Sequence, residues 1–422
     1  MFCILQPLLR KLYILLSRIK IKYVCFGFIV IATLDFFGVF HHAFETSYHD
    51  SFTYPYYGEI HEFVAQLRNN EKPDVEPIND YNYTFIYDLK EKCIEYEHSN
   101  LRLVFLVKSA VNNFDRRIGI RNSWGFEKRF SDVPIKTVFL VGRSPGNPEL
   151  EARLKAEAIK HKDIVLIDFI DTYFNNTIKT MMGFKWAVKY CQNSKFYMFV
   201  DDDMYVSLKN VLRYVRHPTG YPDYLKDPKG PEHLGLSKGS KKHLYARMRR
   251  ATVREKIIVR KKPGWILHNK TLHPSAVGIS RNRTKRQIFD IELPEDVRLF
   301  TGYVFVSAPH RHRTSKWYVS LDEYPYHLWP PYVTAGAYIL SKEALLDMYY
   351  ASFYTKHFRF DDIYLGLVAK KIDIEPFHCD DFHFYKKDYT KYNYKYVIAS
   401  HGYGDPNELL RVWNEQKALG YA

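Results

Sequence analysis

Four short apolar runs punctuate the middle of the chain: Leu101–Val107 (LRLVFLV), Thr137–Val141, Ile164–Asp168 and Phe196–Val200. Each has the length of a buried strand. Between them lie Glu149–His161 (ELEARLKAEAIKH) and Thr180–Cys191 (TMMGFKWAVKYC), whose apolar residues recur at helical spacing. Strand and helix alternating at this distance predict an α/β fold with a mostly parallel, Rossmann-like sheet covered by helices on both faces.

Upstream the pattern changes. Tyr23–Phe40 is eighteen residues of apolar sequence broken only by Asp35, about the shortest run able to span a bilayer as a helix. Arg10, Lys11, Arg18, Lys20 and Lys22 precede it, and HHAFETSYHD follows without a Lys or Arg. This asymmetry predicts residues 1–22 as a cytoplasmic tail, 23–40 as a transmembrane signal-anchor helix, and the remainder on the far side of the membrane. Residues 41–97, with the acid-rich stretch EKPDVEPIND and no sustained period, read as a stem before a catalytic domain over 98–422.

Composition sharpens that outline. The 422 residues hold 62 Lys+Arg against 47 Asp+Glu and 46% hydrophobic residues, which excludes general disorder and collagen-like repetition. The net charge of +15 is local: Lys226 to Arg286 carries 18 Lys+Arg against three acids, so the rest of the chain is neutral. On the far side of a membrane, Cys93, Cys191 and Cys379 meet oxidising conditions. Cys93 precedes the first strand and Cys191 ends the helix before the fourth, which predicts that these two pair and one thiol stays free. Four Asn-x-Thr triplets, at Asn82, Asn175, Asn269 and Asn282, all follow the apolar span.

The chemistry concentrates where the fourth strand ends. FYMFV runs directly into Asp201-Asp202-Asp203, at the carboxyl edge of the sheet, where open α/β folds bind ligands. Adjacent carboxylates repel unless a cation or hydrogen-bond donors compensate them, and oxygen ligands suit Mg²⁺ or Mn²⁺. An acidic helix N-cap is the alternative, which a buried apolar strand running straight into three acids disfavours.

The blocks Arg116–Gly125 (RRIGIRNSWG), Phe139–Gly142, Asp168–Thr180, FVDDDMYV, Lys316–Ser320, Trp329–Gly336 (WPPYVTAG) and Asp361–Gly366 (DDIYLG), then His401, Pro406 and Trp413, occur in an order that resembles the β-1,3-galactosyltransferase family. That family includes β-1,3-N-acetylglucosaminyltransferases and the more distant Fringe-type enzymes. The resemblance implies a GT-A fold, a Golgi membrane setting, and transfer of a hexose or N-acetylhexosamine, galactose favoured, from a UDP-sugar. The acceptor would be a glycan on lipid or protein, joined with inversion in a β-1,3 linkage. On this resemblance Asp362 is the general base, Asp203 and His401 hold Mn²⁺ or Mg²⁺, and Asp201, Asp202, Arg117 and Arg121 face the donor. Trp124 is equally well explained as core.

Two departures from the family pattern stand out. Asp361 occupies a position usually held by Glu, and Val333-Thr334-Ala335 stands where many relatives read Cys-Ser-Gly. A basic insertion at about 219–294 replaces a short connection. It reads as a solvated loop or as a surface for anionic glycans, which leaves a non-catalytic glycan binder as the alternative function. Nucleic acid is not an expected partner, because aromatic residues are sparse there.

Overall fold

The structure is a computed structural model that describes residues 20–53, 58–96, 101–130, 133–226, 293–294 and 296–422. The chain divides into two compact units, one of residues 1–54 with 306–329 and the other of residues 55–305 with 330–422.

In the smaller unit the apolar run forms a helix over Ile21–Phe36, with no buried residue. Gly38, in the left-handed region at φ 78°, then separates it from a short helix over Val39–Ala43. The expected single helix over 23–40 is thus broken, and no helix among the described residues is long and apolar enough to cross a membrane. Asp35, the one acid in the run, pairs with Arg313 at 2.9 Å. Arg311 is fully buried and donates to the carbonyls of Val319, Ser320, Tyr324 and Tyr326 while pairing with Glu45. These bonds fix residues 311–326 around one side chain.

The larger unit contains an eight-stranded sheet. In chain order its elements begin with α1 (His61–Arg68), β1 (Phe85–Tyr87), β2 (Leu101–Lys108), α2 (Phe114–Arg121), β3 (Ile135–Arg143), α3 (Pro148–His161), β4 (Ile164–Ile170) and α4 (Asn176–Tyr190). They continue through β5 (Ser194–Asp201), β6 (Tyr205–Val206), α5 (Leu208–Arg216), β7 (Phe300–Phe305), β8 (Tyr332–Ser341), α6 (Lys342–Ser352) and α7 (Asp361–Lys371). The last are β9 (Phe377–His378), β10 (Phe382–His383), β11 (Ala399–Ser400) and α8 (Pro406–Ala418).

The sheet order is β1-β4-β3-β2-β5-β8-β7-β9. The four strands expected from the apolar runs form its parallel centre, β4-β3-β2-β5. β1 and β8 then pair antiparallel on either side, so the sheet is mixed rather than simply parallel. Alternation along each strand serves two cores. Phe105, Val107, Phe139, Met198 and Val200 join residues of α2, α3, α5 and α8 on one face. On the other, Phe199 stacks between Phe184 of α4 and Tyr338 of β8.

Gly183 of α4 shows how closely that second layer packs. A Cβ there would lie 2.5 Å from Leu140 and 2.9 Å from Phe199.

Much of the region read as stem belongs to this unit. β1 pairs with β4, and Arg68 of α1 reaches Glu343 and Asp347 of α6. The segment lacked period because it contributes an edge strand of three residues, one short α-helix and a 3-10 stretch over Lys90–Tyr96, too little for periodicity to register. Cys93 and Cys191 form the expected disulfide, closing a separation of 98 residues, and Cys379 is the buried free thiol. Nearly all of the basic insertion, from 227 to 292, lies outside the described residues.

Candidate active site

The strand order reverses at β2, whose neighbours are β3 and β5. At such a switch point the carboxyl ends of adjacent strands open a crevice. Parallel pairing places Lys108, the last residue of β2, beside Asp201, the last of β5.

Lys108 is buried, and its Nζ lies 3.0 Å from Asp201 Oδ1 and 2.9 Å from Asp361 Oδ2, with a third bond to the carbonyl of Ala335. A single ammonium thus joins the ends of two strands to the first residue of α7. Burial opposes its charge, but the two carboxylates outweigh that effect and raise its pKa.

The acids around it differ in state. Burial is the largest influence on Asp201 and lifts its pKa to about 6, against the pull of Lys108. Burial also acts on Asp361, but Lys108, Thr180 (2.8 Å) and Asn176 together hold its carboxyl below the ordinary range. Asp362, next along the first turn of α7, is pushed up to about 7 by burial and by the negative Asp361 beside it. Its Oδ1 accepts from the amide of Ile363 at 2.8 Å. Tyr338 is wholly buried, its hydroxyl has no hydrogen-bond partner, and burial with Asp361, Asp201 and Asp362 drives its pKa well above the usual value.

The second half of the site is built by a small sheet. β11 pairs antiparallel with β6, placing Ser400 opposite Tyr205. Continuing that register brings His401 level with the end of the triple acid, and Nε2 of His401 lies 3.3 Å from Asp203 Oδ2. The amide of Tyr403 donates to the carbonyl of Asp203, 2.8 Å away. Between them Gly402 adopts φ 92°, a conformation suited to glycine, and a Cβ would meet Lys386 at 2.7 Å. Burial disfavours the Asp203 anion, yet His401 and Arg116 lower its pKa, and Asp203 in turn raises that of His401.

Among the described residues no group of three or more His, Cys, Asp or Glu side chains is arranged to enclose a metal ion. What the pair does offer is one imidazole nitrogen and one carboxylate. Asp203 Oδ1 is buried with no hydrogen-bond partner, an arrangement that costs free energy unless a cation or donor meets it. The pair therefore fits two ligands of an open site whose remaining positions a diphosphate and water would complete.

Other expected site residues have different roles. Arg117 is fully buried and donates to both Glu157 oxygens, to Ser109 and to the carbonyls of Ala110 and Val111. Arg121 pairs with Glu157 at 2.6 Å and Asp163 at 2.7 Å. Both belong to a closed network on α3 and its following turn, which corrects their assignment to the donor. Asp202 is also committed: Arg116 reaches one oxygen at 2.9 Å and Asn113 the other at 2.9 Å. Trp124 is core, with its indole donating to the carbonyl of Met204.

Sequence reasoning missed Arg116 and Lys108. Arg116 lies three residues beyond Asn113, and both side chains meet Asp202. The sequence signal for Lys108 was a cation ending an apolar strand, matching the acid that ends β5.

The carboxylates, a paired histidine and a buried lysine gather at one edge of an α/β sheet, where folds of this class bind ligands. Comparison with known proteins is more specific. The Galactosyltransferase family profile matches residues 115–224 and 287–380. The Drosophila melanogaster protein beta-1,3-galactosyltransferase brn is 41% identical over 322 residues, 76% of each chain. Mouse beta-1,3-galactosyltransferase 1 is 28% identical over 342 residues, 81% of each. A solved apo structure of the bifunctional glycosyltransferase WbbM covers 66% of this chain and 38% of its own at 11% identity, but its TM-score of 0.27 carries no argument about the fold. The chain belongs to the β-1,3-galactosyltransferase family and is a galactosyltransferase-like enzyme.

Proposed function

We propose that the protein transfers a hexose or N-acetylhexosamine, galactose favoured, from a UDP-sugar to a hydroxyl of a glycolipid or glycoprotein glycan, forming a β-1,3 linkage with inversion. The observation that carries this reading is the joint assembly of Asp203–His401 and of Lys108 with Asp201 and Asp361, the neighbour of Asp362, at one switch point. A donor diphosphate and a proton acceptor are both accommodated by that arrangement.

In an inverting displacement the acceptor oxygen forms a bond to the anomeric carbon as the bond from that carbon to the UDP oxygen breaks. The electron pair leaves with UDP, and the acceptor proton needs a base. Asp362, with a pKa of about 7, is matched to that task near neutrality. Asp361 stays anionic through Lys108, and its charge makes Asp362 more basic. Arg116 is half-exposed between Asp202 and Asp203 and supplies positive charge for phosphate oxygens. Mn²⁺ or Mg²⁺ held by Asp203 and His401 would supply charge compensation for the departing diphosphate.

We also propose a Golgi membrane setting with one N-terminal span and a lumenal catalytic unit. The apolar run, the five cations preceding it and the family's resemblance support this placement, as does the disulfide. Neither reading requires nucleic acid. A panel of UDP-sugars against glycolipid and oligosaccharide acceptors, with manganese and with chelator, tests the proposal. Transfer from one UDP-sugar that depends on acceptor and metal is expected; UDP release indifferent to acceptor would refute it.

A further inference from the structure

Away from the carboxylates, a row of aromatic rings gathers at the β7 side of the sheet. Tyr303 and Phe305 of β7 bring their rings together, with centroids 5.1 Å apart. Tyr332 of β8 is the register partner of Phe305 and stacks on it, with ring centroids 5.7 Å apart and planes within 27°. Phe384, just past β10, lies 4.6 Å from Tyr303 and 4.8 Å from Phe305, and His378 of β9 lies 4.9 Å from Tyr303.

Packing does not close the row over. Phe384 is 39% exposed and its neighbour Tyr385 52%. An open cluster of large rings is the kind of apolar surface that marks a binding site. It also continues into the site already described. A Cβ on Gly366 would lie 2.6 Å from Cβ of Tyr332, so α7 rests against the backbone end of this residue. Gly366 follows Asp362 by four residues, which places the two on one face of the helix. Tyr332 therefore meets α7 four residues, about 6 Å along the axis, from Asp362.

We propose that this row is an acceptor platform on which a pyranose ring of the acceptor glycan lays its C–H face on the exposed ring of Phe384, which stands at 71° to Phe305, with its reacting hydroxyl toward Asp362. The proposal rests on the reading of Asp362 as the base. A pyranose has an apolar face and a polar rim, and the row offers both. Its polar edge is His378, whose Nδ1 accepts from the amide of Val304 at 3.1 Å while Nε2 lies 2.9 Å from exposed Asp380. The first bond leaves Nε2 carrying the proton, fixing the tautomer. An alkyl chain would need an enclosed apolar groove and would find no use for that edge.

The test uses the whole chain. Saturation-transfer NMR with the methyl glycosides of galactose, glucose, N-acetylglucosamine and mannose should detect at least one bound through aromatic protons, with the signal lost in Phe384→Ala. For the glycoside that best supports transfer, Phe384→Ala should raise acceptor KM about tenfold, by the same factor for its methyl and octyl forms. Donor KM and acceptor-independent UDP release should not change. Phe384→Leu, which keeps apolar bulk without a ring, should show the same loss. No aromatic saturation in the wild type, an unchanged acceptor KM, or a loss confined to octyl glycosides would overturn the platform. If Asp362→Asn kept full turnover while Phe384→Ala still raised acceptor KM, the base assignment would fall and the platform would stand.

Discussion

Two dense groups of charge lie in the larger unit, and they differ in what they leave unsatisfied. In the first, Arg117 and Arg121 meet Glu157 and Asp163 with several short bonds. Burial disfavours the Glu157 anion, yet the two arginines outweigh it and lower its pKa. In the second, one Lys108 serves two carboxylates, Asp362 is pushed up to about 7, and Asp203 Oδ1 and the Tyr338 hydroxyl are buried without partners. Both groups look alike as strings of Arg, Lys, Asp and Glu. Unspent hydrogen-bonding capacity and displaced proton affinities distinguish the candidate site from the scaffold.

Substitutions can break or sharpen that contrast. The largest effect is expected from Asp362→Asn, which should lower kcat by about three orders of magnitude, in the range of general-base removal. UDP-sugar affinity, read by titration calorimetry, should remain; unchanged turnover would remove Asp362 from the chemistry. Arg117→Met should destabilise the fold by about 3 kcal/mol, because Glu157 loses a partner inside the protein. Donor KM in the surviving folded fraction should be unchanged, and a raised donor KM would return Arg117 to the site.

Asp203→Ala should weaken metal-dependent donor binding about a hundredfold, as expected for losing a charge-stabilising contact, with little change in melting temperature. Full donor affinity in that variant would argue against a cation at Asp203 and His401.

Smaller effects depend on pH. A base must be unprotonated, so kcat/KM should rise with pH and level off above about 7. The sign for stability is opposite. A carboxyl whose folded pKa is raised contributes stability at low pH that is lost as pH rises through the folded value. Asp362→Asn should therefore melt higher than the wild type at pH 8 and nearly equally at pH 4. A flat difference between those conditions would show that Asp362 is not electrostatically strained.

Much of the centre of the fold was legible in the sequence. The four apolar runs became β2 to β5, because parallel strands buried on both faces need unbroken apolar sequence. The two intervening helices were legible from their period. The acids after β5 were conspicuous for the same reason: charge directly after a buried strand needs an explanation. β1 and the edge strand β9 carried no such signal, since two or three residues cannot display a period, and α1 is an isolated helix of only eight residues. The break at Gly38 depends on a left-handed turn. Hydropathy averaging passes over such a turn.

Sequence alone therefore settled which residue types converge at the end of β5, and the family pattern pointed to Asp203, His401 and Asp362 as partners. Which cation compensates which acid was decided only by the tertiary structure. Arg117 and Arg116 are adjacent in the chain, yet α2 turns one into the scaffold and the other toward Asp202 and Asp203. Lys108 and Asp361 are 253 residues apart and meet at 2.9 Å. Helix rotation and strand register determine these pairings, and both depend on long-range packing that local sequence does not encode.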